Sequence, residues 1–524
     1  MRCLLLVASC VFASASAGAE PVPSSVTSTL AGQIDAHVAQ PRFAAASWGI
    51  HIVSLDTGST VYAHSADKLF TPASTAKLFT AAFALARFGP DHRVPTSLFT
   101  TAPVRRDGTL AGDLVLVGYG DPMLGSDKRV SWADTLAIDL RKSGVRTVAG
   151  DLVADATWFS APLYGRGWEA ADLMTWFGAP ASALSVDDNV VRIEISPAAK
   201  VGGRARVRYD VPFAAPDLDN AMHTVAAGEA TDISLYRAPG DTALRAFGPV
   251  ARNAGVQTFR LAMPDPALAA GEQLRAALLR QGIGFSGKVR SVYWPQRTAV
   301  ADTAGWHRVG DVWSPTIAAI VERGLKVSQN LYMQNLLLLV GAQDAADERA
   351  AGNASERFVS SEARALAALN RWLASIGIPA DSAMLEDGAG LSRRNLVTPR
   401  ALTTLLVHEG SSTEALAFRV ALPEAGVDGS LTGRMLNSSA QGRVHAKTGS
   451  MNYTWSLAGY ARTQAGERLA FALILNNYEP PTGGRPTRPS AELDTVAILL
   501  AAMDRRSDEG LAPAGAAAGT PPTN

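Results

Sequence analysis

Ser74 and Lys77, in the stretch Thr71-Pro-Ala-Ser-Thr-Ala-Lys-Leu-Phe-Thr80, pair a hydroxyl with an amine at a spacing of three. On a helix, residues three apart lie on one face, so the two groups can meet. An amine removed from water loses its proton more readily and then serves as a base for a hydroxyl that is otherwise a weak nucleophile. A helix N-terminus also favours the negative charge that develops on an attacked oxygen. Ser-x-x-Lys is a weak signal alone, and Ser65-Ala-Asp-Lys68 is a decoy just upstream. Ser74 is preferred because only it opens a long apolar run, Leu78, Phe79, Ala81, Ala82, Phe83 and Leu85, which stops at Gly89-Pro90. Pro72 suits the first turn of such a helix, where its missing N–H costs nothing.

Two distant motifs supply the groups that a nucleophilic serine needs. Ser328-Gln-Asn330 lies where two helical patterns meet, and Lys447-Thr-Gly449 opens a strand followed by the small residue Ser450. With Ser74 attacking a carbonyl and Lys77 taking its proton, Ser328 can pass a proton toward a leaving amine. Asn330 can orient Lys77 and bind an amide of the ligand. Lys447, by charge, and Thr448, by hydrogen bonding, can hold a carboxylate. Gly449 and Ser450 complete the candidate substrate-binding stretch with Thr448, and the backbone N–H groups of Ser74 and Ser450 form a candidate oxyanion hole, where one donor is typically worth about 10²–10³ in rate. The rivals are weaker: Lys142-Ser-Gly144 ends a helical pattern, where Gly is an expected cap, and Ser450-Met-Asn452 belongs to the Lys447 strand. The eight His show no metal-binding spacing, so neither metal nor cofactor is expected.

The surrounding elements read as a discontinuous frame. Trp48-Gly-Ile-His-Ile-Val-Ser-Leu55 alternates as a strand, Asp56-Thr-Gly58 is a turn, and Thr60-Val-Tyr-Ala-His64 completes a hairpin that delivers the chain to Ser74. From about 95 to 299 short β-like runs alternate with turns, with a nested β-rich module over about 190–260. Helical patterns return after Ser314-Pro315, and strands again after Lys447. The expected layout is a catalytic part formed by 20–94 and 300–505, an inserted region at 95–299, and a disordered tail at 506–524 rich in Ala, Gly, Pro and Thr.

Bulk properties narrow the function classes. The chain has 524 residues, 47% hydrophobic and 18% charged, with 48 basic against 48 acidic side chains. Zero net charge argues against a nucleic-acid partner. Residues 1–19 have the pattern of a secretory signal peptide: Arg2, an apolar core from Leu4 to Phe12, and small residues at Ala15-Ser-Ala17 and Ala17-Gly-Ala19. The expected location is therefore the periplasm. Both cysteines, Cys3 and Cys10, lie in that segment. Cys10 comes too early for a lipid anchor, and no later stretch is long and apolar enough to span a membrane.

The order Ser-x-x-Lys, Ser-x-Asn, Lys-Thr-Gly matches the penicillin-recognising serine enzymes. The chain further resembles the low-molecular-mass class C penicillin-binding proteins, the D-alanyl-D-alanine carboxypeptidase/endopeptidase family. The segments that carry the likeness are Pro72–Leu78, Asp387-Gly-Ala-Gly-Leu-Ser-Arg-Arg-Asn-Leu-Val-Thr-Pro399, Leu422–Leu431 and His445–Ser450. Gly118-Tyr-Gly-Asp-Pro122 and Gly178–Asn189 within the insert add to it, so the likeness runs from about 45 to 500. The resemblance implies an α/β (α+β) sandwich of the serine β-lactamase/transpeptidase type. Its antiparallel sheet comes from residues 45–65 and 445–478, is covered by helices, and the β-rich inserted domains separate the first two motifs.

The implied activity is removal of the terminal D-Ala from peptidoglycan stem peptides, with cleavage of D-Ala–diaminopimelate cross-links as an extension, through an acyl-Ser74 intermediate that penicillins also form. The likeness also aligns Asp172, with Phe177, to an active-site edge that receives a cationic diamino-acid side chain. The rival readings are a β-lactamase or esterase of the same fold and a non-catalytic cell-wall scaffold. Asp387 and Asp428 are expected to shape turns, and His445 to pack.

Overall fold

The alternating strands at the two ends of the sequence become neighbours. In the computed structural model, which describes residues 29–126, 131–211, 215–296, 305–353, 357–480 and 488–508, one five-stranded sheet runs in the order Val444–Met451, Thr454–Arg462, Arg468–Asn476, Ser47–Ser54, Thr60–His64. Every pairing is antiparallel. Period-two alternation sorts the side chains by face. Ile50, Ile52, Leu457, Phe471, Leu473 and Leu475 pack on one side with Leu493, Val496 and Leu500 of the Ser490–Ala501 helix. Ala458, Tyr460, Ala470, Ala472 and Ile474 face the opposite core, which holds the Lys77–Phe88 helix. Helices thus cover both faces of an antiparallel sheet, the expected fold class.

The segment around Ser74 departs from the single helix read from its spacing. Ala73–Ala76 form a tight 3₁₀ turn, and the α-helix begins only at Lys77. The cause is local. Ala73 has φ of 48°, a left-handed conformation that a helix start does not allow. The Pro72 carbonyl is held by two hydroxyls, Ser456 Oγ at 2.6 Å and Thr75 Oγ1 at 2.7 Å. Every residue from Lys77 to Leu85 is buried, and Gly89, at φ 76°, ends the helix with its N–H on the Leu85 carbonyl.

Between the first two motifs a second five-stranded sheet forms, ordered Val289–Val292, Leu152–Asp155, Leu114–Gly118, Pro95–Thr100, His307–Trp313. The last strand lies antiparallel along Pro95–Thr100. The inserted polypeptide therefore reaches past residue 299, where the catalytic part was expected to resume: the His307–Trp313 backbone is hydrogen-bonded into the insert's sheet. Two three-stranded sheets follow from strands within Val190–Ala262.

The chain then returns through the helices Ile317–Lys326, Asn330–Ala350 and Ser361–Ser375. From Asn330 to Ala342 the second of these is buried on every side. No helix among the described residues is long and apolar enough to cross a membrane.

The leader at 1–19 lies outside the described residues, as does the tail beyond 508. The start of the tail is not free, contrary to the expectation from its composition. Arg506 pairs with Asp56 at 3.2 Å, and Ser507 donates through N and Oγ to Glu467 at 2.9 and 2.6 Å.

The helices around Asn330 press together backbone to backbone. A Cβ on Gly341 would lie 1.9 Å from the Ser361 carbonyl oxygen and 3.0 Å from the Ala365 nitrogen. Gly341→Ala should therefore destabilise the fold by about 1–3 kcal/mol, read as a lowered midpoint in chemical denaturation. An unchanged midpoint would show that the two helices can part without cost.

Candidate active site

The three motifs converge on two buried amines. Lys77 Nζ, at the first position of its helix, donates to Ser74 Oγ at 2.7 Å and to Asn330 Oδ1 at 2.6 Å. Its third acceptor is the Ala389 carbonyl oxygen. Lys447 Nζ donates to Ser328 Oγ at 2.9 Å and to the carbonyl of Thr448 at 2.7 Å. Ser74, Lys77 and Asn330 thus form one hydrogen-bonded group and Ser328 and Lys447 a second, joined by the short chain from Ser328 to Asn330. Ser328 sits at φ 57°, in the short break between the Ile317–Lys326 and Asn330–Ala350 helices. That break turns its hydroxyl out of the helical stack and lets Asn330 open the next helix.

The Lys-Thr-Gly strand runs along the sheet edge against the Ser74 turn. A Cβ on Gly449 would lie 2.1 Å from Ser456 Oγ, 2.8 Å from the Pro72 carbonyl and 3.0 Å from the Ser74 nitrogen. Only a residue without a side chain permits this approach. Ser450, next on the strand, is exposed. Thr448 Oγ1 hydrogen-bonds Ser430 Oγ at 2.7 Å. Ser430 belongs to the Leu422–Leu431 segment, where it was not singled out.

The Ala389 carbonyl was also missed. It is aimed by a turn built on Asp387, whose carboxylate accepts from the backbone N–H groups of Gly390, Leu391 and Ser392, from Asn395 Nδ2 at 2.6 Å and from Trp168 Nε1 at 2.7 Å. The neighbouring Gly388 is clamped as well: its N–H goes to Gln334 Oε1 at 2.8 Å and its carbonyl accepts from Thr80 Oγ1 at 2.9 Å. Asp387 shapes a turn, as its sequence context suggested. Asp428 does too, accepting from the Glu424 N–H at 2.9 Å and pairing with Lys326.

The remaining candidates are placed as follows. Asn330 Nδ2 donates to the Phe177 carbonyl at 2.8 Å, and the half-buried Phe177 ring packs edge-on to Trp176. The Asp172 carbonyl anchors the same loop, accepting from Thr175 N at 2.9 Å. The Asp172 carboxyl is half-buried and its pKa is raised, chiefly by burial and then by Glu169. His445 makes a β-bridge to Glu424 and is half-buried. Of the decoys, Lys68 is exposed beyond a turn at Ser65, and Ser143 caps the helix that ends at Lys142. No cluster of metal-ligating residues occurs among the described residues.

A model of the D-Ala-D-Ala carboxypeptidase 3 (S13) family matches residues 30–495. The chain belongs to that family. The D-alanyl-D-alanine carboxypeptidase of Actinomadura sp. (strain R39) is 33% identical over 479 residues, 89% of this chain and 84% of the relative. The D-alanyl-D-alanine carboxypeptidase DacB of Haemophilus influenzae is 29% identical over 410 residues, 78% of this chain and 80% of the relative. The crystal structure of penicillin binding protein 4 (dacB) from Haemophilus influenzae covers 87% of this chain and 95% of its own, with a TM-score of 0.73 at 25% identity. The low-molecular-mass class C resemblance read from the motifs is thereby established.

Electrostatics in this S13 site follow from burial. Desolvation lowers the Lys77 pKa from 10.5 to about 7, and the charge of Asp387 only partly offsets it. Lys447 is pushed well below its usual range by burial, then by Lys77 and by Arg434. Below about 7, Lys77 is an ammonium and cannot take a proton from Ser74; above it, the free amine can. The rate of Ser74 acylation by penicillin should therefore rise with pH through about 7 and level off above, as followed by stopped-flow. A rate already flat from pH 5 upward would mean that the Lys77 amine is not the base. Gly449→Ala should cost acylation at least about tenfold, because the added methyl would meet the Pro72 carbonyl and the Ser74 nitrogen and part the strand from the Ser74 turn.

Proposed function

We propose that the chain is a serine-type D-Ala-D-Ala carboxypeptidase acting on peptidoglycan stem peptides, and that Ser74, Lys77, Ser328, Asn330 and Lys447 carry the reaction. The observation that supports it most directly is the 2.7 Å contact between Lys77 Nζ and Ser74 Oγ, made by an amine that burial keeps close to neutral. The terminal carboxylate of the peptide binds Lys447, Thr448 and the neighbouring Ser430. Its charge supplies the counter-ion that the buried Lys447 lacks. Asn330 meets the peptide amide.

Lys77 then takes the Ser74 proton, and Oγ bonds to the carbonyl carbon of the penultimate D-Ala. The resulting oxyanion faces the N–H groups of Ser74 and Ser450. As the C–N bond breaks, the terminal D-Ala leaves as its amine, with the proton delivered through Ser328. Water then attacks the acyl-Ser74 ester, gives its proton to Lys77, and restores the hydroxyl. A penicillin enters the same sequence with its ring carbonyl in place of the peptide's. A D-Ala–diaminopimelate cross-link presents an equivalent leaving amine, and we extend the proposal to it, with Asp172 beside Phe177 meeting a cationic side chain. The periplasm is the proposed location; the pattern of residues 1–19 supports it.

The test is mass spectrometry of the protein with penicillin, with D-Ala release from a stem pentapeptide measured in parallel. Wild type should gain one penicillin mass on the peptide containing Ser74 and should release D-Ala, whereas Ser74→Ala should do neither. Adduct on another residue, or D-Ala release surviving Ser74→Ala, would refute the assignment.

A further inference from the structure

Glu362 is a buried carboxyl that the reaction above does not use. It lies in the first turn of the Ser361–Ser375 helix. The start of that helix is pinned to the insert, with Ser361 N on the Ser160 carbonyl and Ser160 N on Ser361 Oγ, both at 3.0 Å. Burial raises the Glu362 pKa to about 7, and hydrogen bonds from Gln334 and from the Arg166 backbone offset only part of that. The charged groups near it are Arg166 of the insert, whose guanidinium pairs with Glu386 at 3.3 Å, and Asp387 of the turn that aims Ala389. The Asn330–Ala350 helix presents the neutral Gln334 to it. A carboxyl held away from water in this way is costly unless its oxygens are put to use as acceptors.

Its partner shows the use. Gln334 and Asn330 are one turn apart on the same helix and share a face. Asn330 Oδ1 meets Lys77 directly. Gln334 Oε1 accepts from Gly388 N at 2.8 Å, and Gln334 Nε2 donates to Glu362 Oε1 at 3.0 Å. These two bonds have a direction. The Gly388 N–H can only donate, so the amide must turn its oxygen toward Gly388 and its NH₂ toward residue 362, where an acceptor has to stand. Without that acceptor the NH₂ is left unmatched, and a flipped amide would set donor against donor at Gly388. From the other side the Gly388 carbonyl accepts from Thr80 Oγ1 at 2.9 Å, one turn along the helix that Lys77 opens. The next residue is Ala389, whose carbonyl oxygen accepts from Lys77 Nζ.

We propose that Glu362 is a positioning residue for the reaction: by fixing the Gln334 amide it locks the Gly388–Ala389 backbone, so that the Ala389 carbonyl stays aimed at Lys77. The proposal rests on the reading of Lys77 as the base that activates Ser74. A misaimed carbonyl leaves the Lys77 ammonium one acceptor short, which lowers its affinity for the proton and loosens the amine beside Ser74. Acylation then begins at lower pH and levels off at a lower rate.

The experiment follows Ser74 acylation by penicillin against pH in wild type, Glu362→Leu, Gln334→Ala, the double variant and Glu362→Gln, with folding checked by chemical denaturation. Glu362→Leu fills the space without offering an acceptor, and Glu362→Ala replaces it in the comparison if the leucine variant does not fold. Either should lower the plateau rate by about tenfold and move the midpoint to lower pH. Gln334→Ala should do the same, and the double variant should be no slower than Gln334→Ala alone, because both residues act through one amide. Glu362→Gln, which keeps the shape and offers an amide oxygen, should lose less than Glu362→Leu. Additive losses in the double variant, or an unmoved midpoint in Glu362→Leu, would overturn the proposal, since a residue that merely stabilises the fold acts independently of Gln334 and leaves the midpoint alone. A loss in Glu362→Gln as large as in Glu362→Leu would make the charge rather than the acceptor the cause, and would overturn it as well. A wild-type rate that is flat with pH would instead overturn the reading of Lys77 as the base, and this inference with it.

Discussion

Two fully buried lysines stand close enough to feel each other's charge, and among the described residues neither touches a carboxylate. Lys77 is surrounded by a hydroxyl, an amide oxygen and a backbone carbonyl; Lys447 by a hydroxyl and a backbone carbonyl. Neutral acceptors stabilise an ammonium less than a counter-ion would, so burial sets the balance and both amines lose affinity for the proton. The charge of Lys77 lowers the proton affinity of Lys447 further. A base strong enough to deprotonate serine yet free of its proton near neutrality requires this lack of compensation, and most of the fold serves to maintain it.

Maintaining it takes rigid backbone. The turn that carries Ser74 begins at Ala73 with φ 48°, Ser328 itself lies at φ 57°, and Gly390 at φ 70° presses where a Cβ would come within 2.3 Å of the Ala73 carbonyl. Left-handed non-glycine residues cost of order 1–3 kcal/mol each and persist only where their surroundings over-determine them. Here the surroundings are specific: Ser456 from the sheet holds Pro72, Gln334 and Thr80 hold Gly388, and Asn476 holds Thr71 N at 2.9 Å. The nucleophile is thus fixed from the sheet on one side and from the helices on the other.

What the amino-acid sequence disclosed and what it hid follow the same division. Ser74, Lys77, Ser328, Asn330 and Lys447 are side chains whose types announce chemistry, and strands such as Trp48–Leu55 show their alternation openly. The Ala389 carbonyl has no such signature, because any residue has one; only the Asp387-Gly-Ala-Gly390 run, read as a turn, hinted that a backbone group was being aimed. Ser430 is one small polar residue among many. The 3₁₀ turn at Ala73–Ala76 was hidden because nothing in the residue types announces a left-handed Ala73, and the Ser456 hydroxyl that holds the Pro72 carbonyl is far away in the chain. The strand His307–Trp313 pairs with residues some two hundred positions earlier, which local pattern cannot reveal.

The indole of Trp168 donates to Asp387 at 2.7 Å, and Asp387 aims the carbonyl that meets Lys77. Trp168 belongs to the inserted polypeptide, whereas Asp387 and Lys77 belong to the body that carries the sheet. The boundary between the two is therefore crossed by a wire that ends two contacts from the reactive hydroxyl. An insert attached in this manner cannot drift as a passive ornament, since any tilt of it would be felt at the ammonium. The chain between the first and second motifs thus supplies a hydrogen bond to the turn that meets Lys77, and a trimmed version of the protein would have to find another donor for that carboxylate.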